Sequence, residues 1–309
     1  MTSERRVTAF APASVGNVAV GFDILGHALA APGDRVTARR VAEPGVTIEA
    51  IAGCVTDLPR DAARNAAGAA VLALSHSLGL RHGFALEIDK GIPLGSGMGG
   101  SAASAVAALV AANALLDTPL PLPALMPFTL DGEAAASGSR HGDNAAASLL
   151  GGLVLSGGGA PVRIAVPDDL YCALVHPHVV LETRTARAVL TGGFALPDVV
   201  TQTANLARVL LACERRDATL LSGALEDVLV EPKRAALVPA FADVKRAALA
   251  AGAIGASISG AGPSIFAWCI GEIAATRIAT VMASAFGGDG LACDRFVSPV
   301  DAPGARVLP

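Results

Sequence analysis

The chain is short of charge. Asp, Glu, Lys and Arg make up 16% of its 309 residues, the lysines being Lys90, Lys233 and Lys245 alone, and no block of like charge occurs anywhere. With a formal net charge of −4 and a pI near 5.9, a basic footprint for nucleic acid or an acidic membrane surface is excluded. The five cysteines (Cys54, Cys172, Cys213, Cys269, Cys293) are scattered and never spaced as CxxC. That pattern excludes a zinc ribbon and fits reduced thiols better than a disulfide frame. No internal repeat of fixed period is present. The first residues, MTSERRVTAFAP, contain no apolar h-region, so no secretory signal is expected. Three windows (91–116, 144–162 and 247–271) carry no charge at all, but several glycines break each one. Short elements and loops are expected there rather than membrane spans. The expectation is a soluble, cytoplasmic protein with no nucleic-acid or membrane partner.

What is there is apolar and patterned. Hydrophobic residues make up 52% of the chain, and 309 residues suffice for two modest domains or one large one, each with a real core. Residues 5–11, 34–41, 46–50 and 84–89 alternate like half-buried strands, and 61–78 repeats at helical spacing. Residues 101–116 read as a helix apolar on nearly every face, stopped by PLPLP at 119–123, and 122–137 as a further helix. A strand is expected at 151–159, followed by loose glycines that mark a boundary. Beyond it, strands are expected at 171–177, 253–260, 264–270 and near 291–298, with a helix at 272–286. The helical stretch 198–251 should be broken by Pro232 and Pro239. Strands and helices are interspersed in both halves, an α+β pattern of two domains, 1–160 and 161–309.

The stretch PLGSGMGGSAAS (93–104) puts a glycine-rich loop directly before good helix formers. GSGMGG fits G-x-G-x-x-G, but Asp117 ends a helix rather than a second strand, which disfavours a dinucleotide site. No Gly-Lys-Ser/Thr follows, so it is not a Walker A loop either. What remains is a nest of backbone N–H groups leading into a helix N-terminus, with Ser96, Ser101 and Ser104 at its mouth. Such a nest can hold polyphosphate, and Ser101 can offer Mg²⁺ a hydroxyl oxygen. A plain packing loop would leave those serines unexplained.

Two further stretches bear on this loop. APASVGNVAVGFDILG (11–26) carries Asn17 and Asp23, and GASISGAGPS (255–264) is a second glycine–serine loop between strands. In order and spacing the three resemble the motifs of the GHMP small-molecule kinases. Within that superfamily the chain is most similar to the homoserine kinases, over nearly its whole length. The likeness rests on Glu133 with the Ser-Gly-Ser-Arg-His-Gly-Asp-Asn run ending at Asn144, on Thr183 with Ala186 and Arg187, and on Glu231-Pro232-Lys233-Arg234 before LVPAF.

The resemblance implies the two-domain GHMP fold, an N-terminal domain like ribosomal protein S5 domain 2 and a C-terminal ferredoxin-like domain, with the active site between them. It implies ATP as phosphoryl donor, held by Pro93, Leu94, Gly95, Ser96, Gly97, Met98, Gly99, Gly100, Ser101, Ala102 and Ala103. It assigns Mg²⁺ to Ser101 and Glu133. For L-homoserine it implies Arg187 and Arg234 at the carboxylate, Asp23 at the ammonium with Asn17 in support, and His141 and Asn144 lining the site. Asp143 matches the aspartate often taken as base in GHMP kinases, but no lysine stands in the accompanying motif. Positioning and charge neutralisation are therefore expected to dominate, with Asn144 orienting the hydroxyl. Asn65 resembles an adenine or ribose contact, and could equally cap a helix. A homodimer is the family's tendency. The sequence departs from the family at Gly100, in place of a serine, at Met98, in place of leucine, and at Ala19-Val20, in place of Gly-Pro. The alternatives are a GHMP kinase for another small alcohol and a non-catalytic GHMP-fold ligand sensor.

Overall fold

A computed structural model describes residues 5–138, 140–288 and 290–309. In chain order the first half contains β1 (Arg6–Gly16), β2 (Leu25–Val41), β3 (Gly45–Gly53), α1 (Ala66–Leu78), β4 (Gly83–Lys90), α2 (Gly100–Asn113), α3 (Met126–Ser137), α4 (Asp143–Leu150), β5 (Leu153–Leu155) and β6 (Val162–Ile164). The second half contains β7 (Leu170–Pro177), α5 (Thr183–Ala188), α6 (Leu196–Glu214), α7 (Ala218–Leu221), α8 (Glu231–Arg234), α9 (Phe241–Ala250), β8 (Gly255–Ile258), β9 (Ile265–Ile270), α10 (Glu272–Gly288), β10 (Cys293–Pro299) and β11 (Arg306–Val307).

Two sheets organise these elements. The first is seven-stranded, β11-β1-β2-β4-β3, with β5 paired to β2 and β6 to β5. Its neighbours are antiparallel except β3 with β4. Helices α1, α2 and α4 bury alanine, valine and leucine against it, and small side chains let α2 be buried on every side. The second sheet is antiparallel, β10-β7-β9-β8. Strand β9 shows why its run IFAWCI lacks polar residues: Ile265, Ala267 and Cys269 face α9 and α10, while Phe266 and Trp268 face the core shared with the first domain. A strand buried on both faces has no solvent side on which to place polar groups.

The expected α+β architecture holds, with local differences. Strands β1 and β2 run further than their alternating stretches, through Pro12, Gly26, Pro32 and Gly33, and their ladder shifts register between Pro12, paired with Gly33, and Ser14, paired with Ala28. The helix expected at 61–78 begins as a 3₁₀ turn at Ala62–Arg64 and restarts after Asn65. The strand expected at 151–159 is confined to Leu153–Leu155, because Gly157 and Gly158 take positive φ. Helix α2 stops at Asn113, whose side chain bonds both the amide and the carbonyl of Leu120. Strands β6 and β11, drawn into the first sheet from residues beyond 160, are too short to announce themselves in sequence. Ser139, within the Ser-Gly-Ser run, lies outside the described residues. Among the described residues no helix is long and apolar enough to cross a membrane.

Candidate active site

The glycine loop leaves β4 at Lys90 and enters α2 at Gly100. Gly97 and Gly99 take φ of 75° and 69°. A Cβ on Gly97 would lie 2.5 Å from the Ser259 carbonyl, and one on Gly99 2.4 Å from Ser14 Oγ. Only glycine permits both the left-handed backbone and these approaches. The amides of Gly97 and Gly99 have no hydrogen-bond partner among the described residues, and α2 starts without a side-chain cap. Unpaired N–H groups at a helix start make an anion site.

Beneath the loop lies a network that sequence reasoning missed. The Lys90 ammonium pairs with Asp34, and it also donates to the Gly100 carbonyl at 2.9 Å and to Ser104 Oγ at 2.8 Å. Ser104 in turn donates to Asp34 at 2.6 Å, and the second Asp34 oxygen accepts from the amides of Gly91 and Ile92. All three side chains are buried. The lysine absent from the family motif is thus balanced by an aspartate and holds the loop's two ends together. Its place just before the glycine loop was the available signal.

A cavity of about 630 Å³ opens in front of the loop. Its wall includes Asn17, Asp23, Asn65, Pro93, Leu94, Gly95, Ser96, Gly97, Gly99, Gly100, Ser101, Glu133, His141, Asp143, Asn144, Arg187 and Arg234. Three residues assigned to the cradle are not in that wall: Met98, Ala102 and Ala103 are fully buried in the core. Their side chains face away because the buried face of α2 begins there. Asn65 lines the cavity but serves as the cap of α1: its Oδ1 accepts from Ala67 N at 3.0 Å, and its Nδ2 donates to the Pro59 carbonyl at 2.9 Å. Both ends of that side chain are therefore already engaged.

At the other end of the cavity, charges face one another. Arg187 on α5 donates Nη1 to Asp23 Oδ2 at 3.1 Å and Nη2 to Asp23 Oδ1 at 2.9 Å. His141 Nδ1 lies 3.2 Å from Asp23 Oδ2. Arg234 is 2% exposed, donating Nε to the Ala186 carbonyl and Nη1 to the Gly260 carbonyl at 3.0 Å. Burial and the neighbouring Arg187 lower its pKa from the usual guanidinium range. The rings and guanidinia stack as well, Arg187 and Arg234 each lying over Phe22.

Asn17 ties the halves of the site together. Its amide donates to Asp143 Oδ2 at 3.1 Å, its Nδ2 to the Gly260 carbonyl at 2.8 Å, and its Oδ1 accepts from Asp23 N at 3.0 Å. Asn17, Val18 and Ala19 all sit at positive φ (68°, 42° and 59°), strained for residues with side chains. Asn144, in the first turn of α4, accepts from Ser14 Oγ at 2.9 Å. Beside it, Asp143 keeps Oδ1 buried without a hydrogen-bond partner among the described residues, and burial pushes its pKa up to about 6. Glu133 on α3 is likewise pushed up by burial, to about 7, against the opposing pull of a Ser101 hydrogen bond.

The Ser101–Glu133 pair fits a divalent cation: a hydroxyl and a buried carboxylate are hard oxygen donors, and a cation would restore the carboxylate's charge. Among the described residues no group of three His, Cys, Asp or Glu could hold a metal.

Family models match both halves: GHMP kinases N terminal domain over residues 65–152, and GHMP kinases C terminal over 209–288. A homoserine kinase of Xanthomonas campestris pv. campestris is 56% identical over 304 residues, covering 98% of this chain and 94% of its own. One from Chloroherpeton thalassium is 44% identical, covering 98% of this chain and all of its own. The crystal structure of homoserine kinase from Cytophaga hutchinsonii superposes with a TM-score of 0.95 at 40% identity, over 100% of this chain and 99% of that one. This chain belongs to the homoserine kinase family of the GHMP kinases.

Proposed function

We propose that this chain transfers the γ-phosphoryl group of ATP to the side-chain hydroxyl of L-homoserine, forming O-phospho-L-homoserine for threonine biosynthesis. The observation that carries the reading is the charge layout of one cavity. An anion-seeking glycine loop stands at one end, and an Asp23, Arg187 and Arg234 group complementary to an amino-acid zwitterion at the other.

The loop amides and the start of α2 bind phosphate oxygens, with Lys90, Asp34 and Ser104 keeping that frame rigid. Ser101 and Glu133 would hold Mg²⁺, which supplies charge neutralisation for the transferring phosphoryl group. Asp23 takes the ammonium, assisted by His141, while Arg187 and Arg234 take the carboxylate. The Arg187–Asp23 pair opens toward the zwitterion, exchanging one internal pair for two bonds to substrate. Asn144, held by Ser14, orients the hydroxyl, so that placement rather than proton abstraction provides most of the rate. The reading carries with it residues 1–160 as the phosphate-loop domain, 161–309 as the second domain, and a cytoplasmic homodimer.

The test is product identification. Protein with MgATP is offered L-homoserine, mevalonate, shikimate or no acceptor, and the phosphorus spectrum is recorded. A new phosphomonoester with L-homoserine alone is expected. A product from another acceptor alone would overturn the substrate assignment, and none with any acceptor would favour a ligand sensor.

A further inference from the structure

The phosphate loop is set from outside its own domain. Gly95 O accepts from Leu181 N at 3.0 Å, and Gly97 O from Ser259 Oγ at 2.8 Å. Between them, Ser96 O accepts twice from Ser264, from the amide at 3.2 Å and from Oγ at 2.6 Å. Three successive carbonyls of the loop are thus tied to the second domain, while the Gly97 and Gly99 amides keep no partner among the described residues. Ser264 is fully buried, and behind it stands His176 of β7, 3% exposed, with Nδ1 3.1 Å from Ser264 Oγ.

A serine hydroxyl has one proton. Ser264 gives its proton to the Ser96 carbonyl, so at the same oxygen His176 must donate, and the imidazole must carry its proton on Nδ1. The opposite tautomer would draw the Ser264 proton to itself and leave Ser96 O with the longer amide bond alone. Burial pushes the His176 pKa down to about 4, so the ring is neutral at physiological pH and its tautomer, not its charge, is what matters. The groups acting on it electrostatically are Asp294 and His178.

We propose that His176 is a positioning residue for nucleotide binding: its Nδ1–H sets the direction of the Ser264 hydroxyl, which pins the Ser96 carbonyl and so presets the loop's amides for phosphate. The proposal rests on the kinase reading above. It concerns the phosphates of the nucleotide and not its base, which gives it a readout that general destabilisation would not share.

The experiment measures binding of ADP and of adenosine, which lacks phosphates, by calorimetry for wild type, His176→Leu, His176→Asn and Ser264→Ala, with melting temperatures alongside. Losing the oriented hydroxyl should weaken ADP binding about tenfold in His176→Leu and Ser264→Ala, with adenosine binding and the KM for L-homoserine unmoved. Asparagine can place an amide N–H where Nδ1–H stood, so His176→Asn should recover ADP affinity to within about threefold of wild type. Equal weakening of ADP and adenosine would overturn the proposal, as would His176→Asn binding no better than His176→Leu. Should His176→Leu fail to fold, Ser264→Ala against His176→Asn decides the matter in the same way. Wild type that binds adenosine as tightly as ADP would instead overturn the kinase reading itself.

Discussion

Arg187 grips Asp23 through two parallel hydrogen bonds, at 2.9 and 3.1 Å, across 164 residues of chain. A planar fork on a carboxylate is the geometry that arginine supplies and lysine does not. Asp23→Asn keeps the shape and removes the charge, taking from Arg187 its carboxylate partner and from the ammonium its anion. The KM for L-homoserine should rise about a hundredfold, in line with loss of a charge-assisted pair, while the KM for ATP stays within about twofold. Steady-state kinetics with each substrate varied separately checks this, and an equal rise in both constants would contradict it.

Asp143 offers the sharpest test of how the proton is handled. Its Oδ1 is buried without a hydrogen-bond partner among the described residues and its pKa is raised by burial to about 6, which suits a base electrostatically. Its other oxygen is engaged by Asn17 N, and the account assigns it to holding the Asn17 turn. Asp143→Asn should then cost less than about tenfold in turnover and leave the acid limb of the rate profile in place. A loss of several thousandfold, with that limb abolished, would make Asp143 the base.

Stability should depend on pH in two opposite windows. Glu133 and Asp143 have folded pKa values raised by burial to about 7 and about 6, so the stability they allow is fully present below their unfolded values and is lost as pH rises through 6 to 7. As pH rises from 5.5 to 8, the melting temperature of the ligand-free wild type should therefore fall relative to that of Glu133→Gln. His27 behaves in reverse. It is fully buried, bonded to the Ala28 carbonyl through Nδ1 and to Trp268 Nε1 through Nε2, and burial lowers its pKa to about 4. Its contribution is complete above the unfolded value and is lost as pH falls from about 6.5 toward 4, by roughly 3 kcal/mol in all. Scanning calorimetry across pH 4 to 8 reads both limbs.

Ala19 sits at φ 59°, where an L-residue is strained. Ala19→Gly should raise stability by about 1 kcal/mol, because relief of the left-handed strain outweighs the extra freedom of the unfolded chain. Denaturant midpoints check it, and a destabilised variant would show that the buried methyl outweighs the strain.

Much of this site was legible because its chemistry is written locally. The glycine loop, the run ending at Asn144, and the Arg187 and Arg234 segments each present their residues within a dozen positions, and the fold brings them to one cavity. What could not be read depends on distance along the chain. Asp34 reaches Lys90 across 56 residues and Ser104 across 70, and no periodicity advertises either pairing. The same holds for Trp268 reaching His27 across 241 residues. Asn65 shows the converse difficulty. One side chain suited both to capping and to ligand contact, and only the geometry reveals that the cap occupies it. Met98, Ala102 and Ala103 were read as cradle because the motif runs through them, whereas the turn into α2 rotates them toward the core.

The most direct test of the account is ADP release with MgATP and L-homoserine, measured for wild type and for Arg234→Ala with circular dichroism confirming the fold of each. Wild type should release ADP in a homoserine-dependent way, and Arg234→Ala should lose that release at substrate levels that saturate wild type. Release by the variant at the wild-type rate and KM would contradict the charge template on which the proposed function rests.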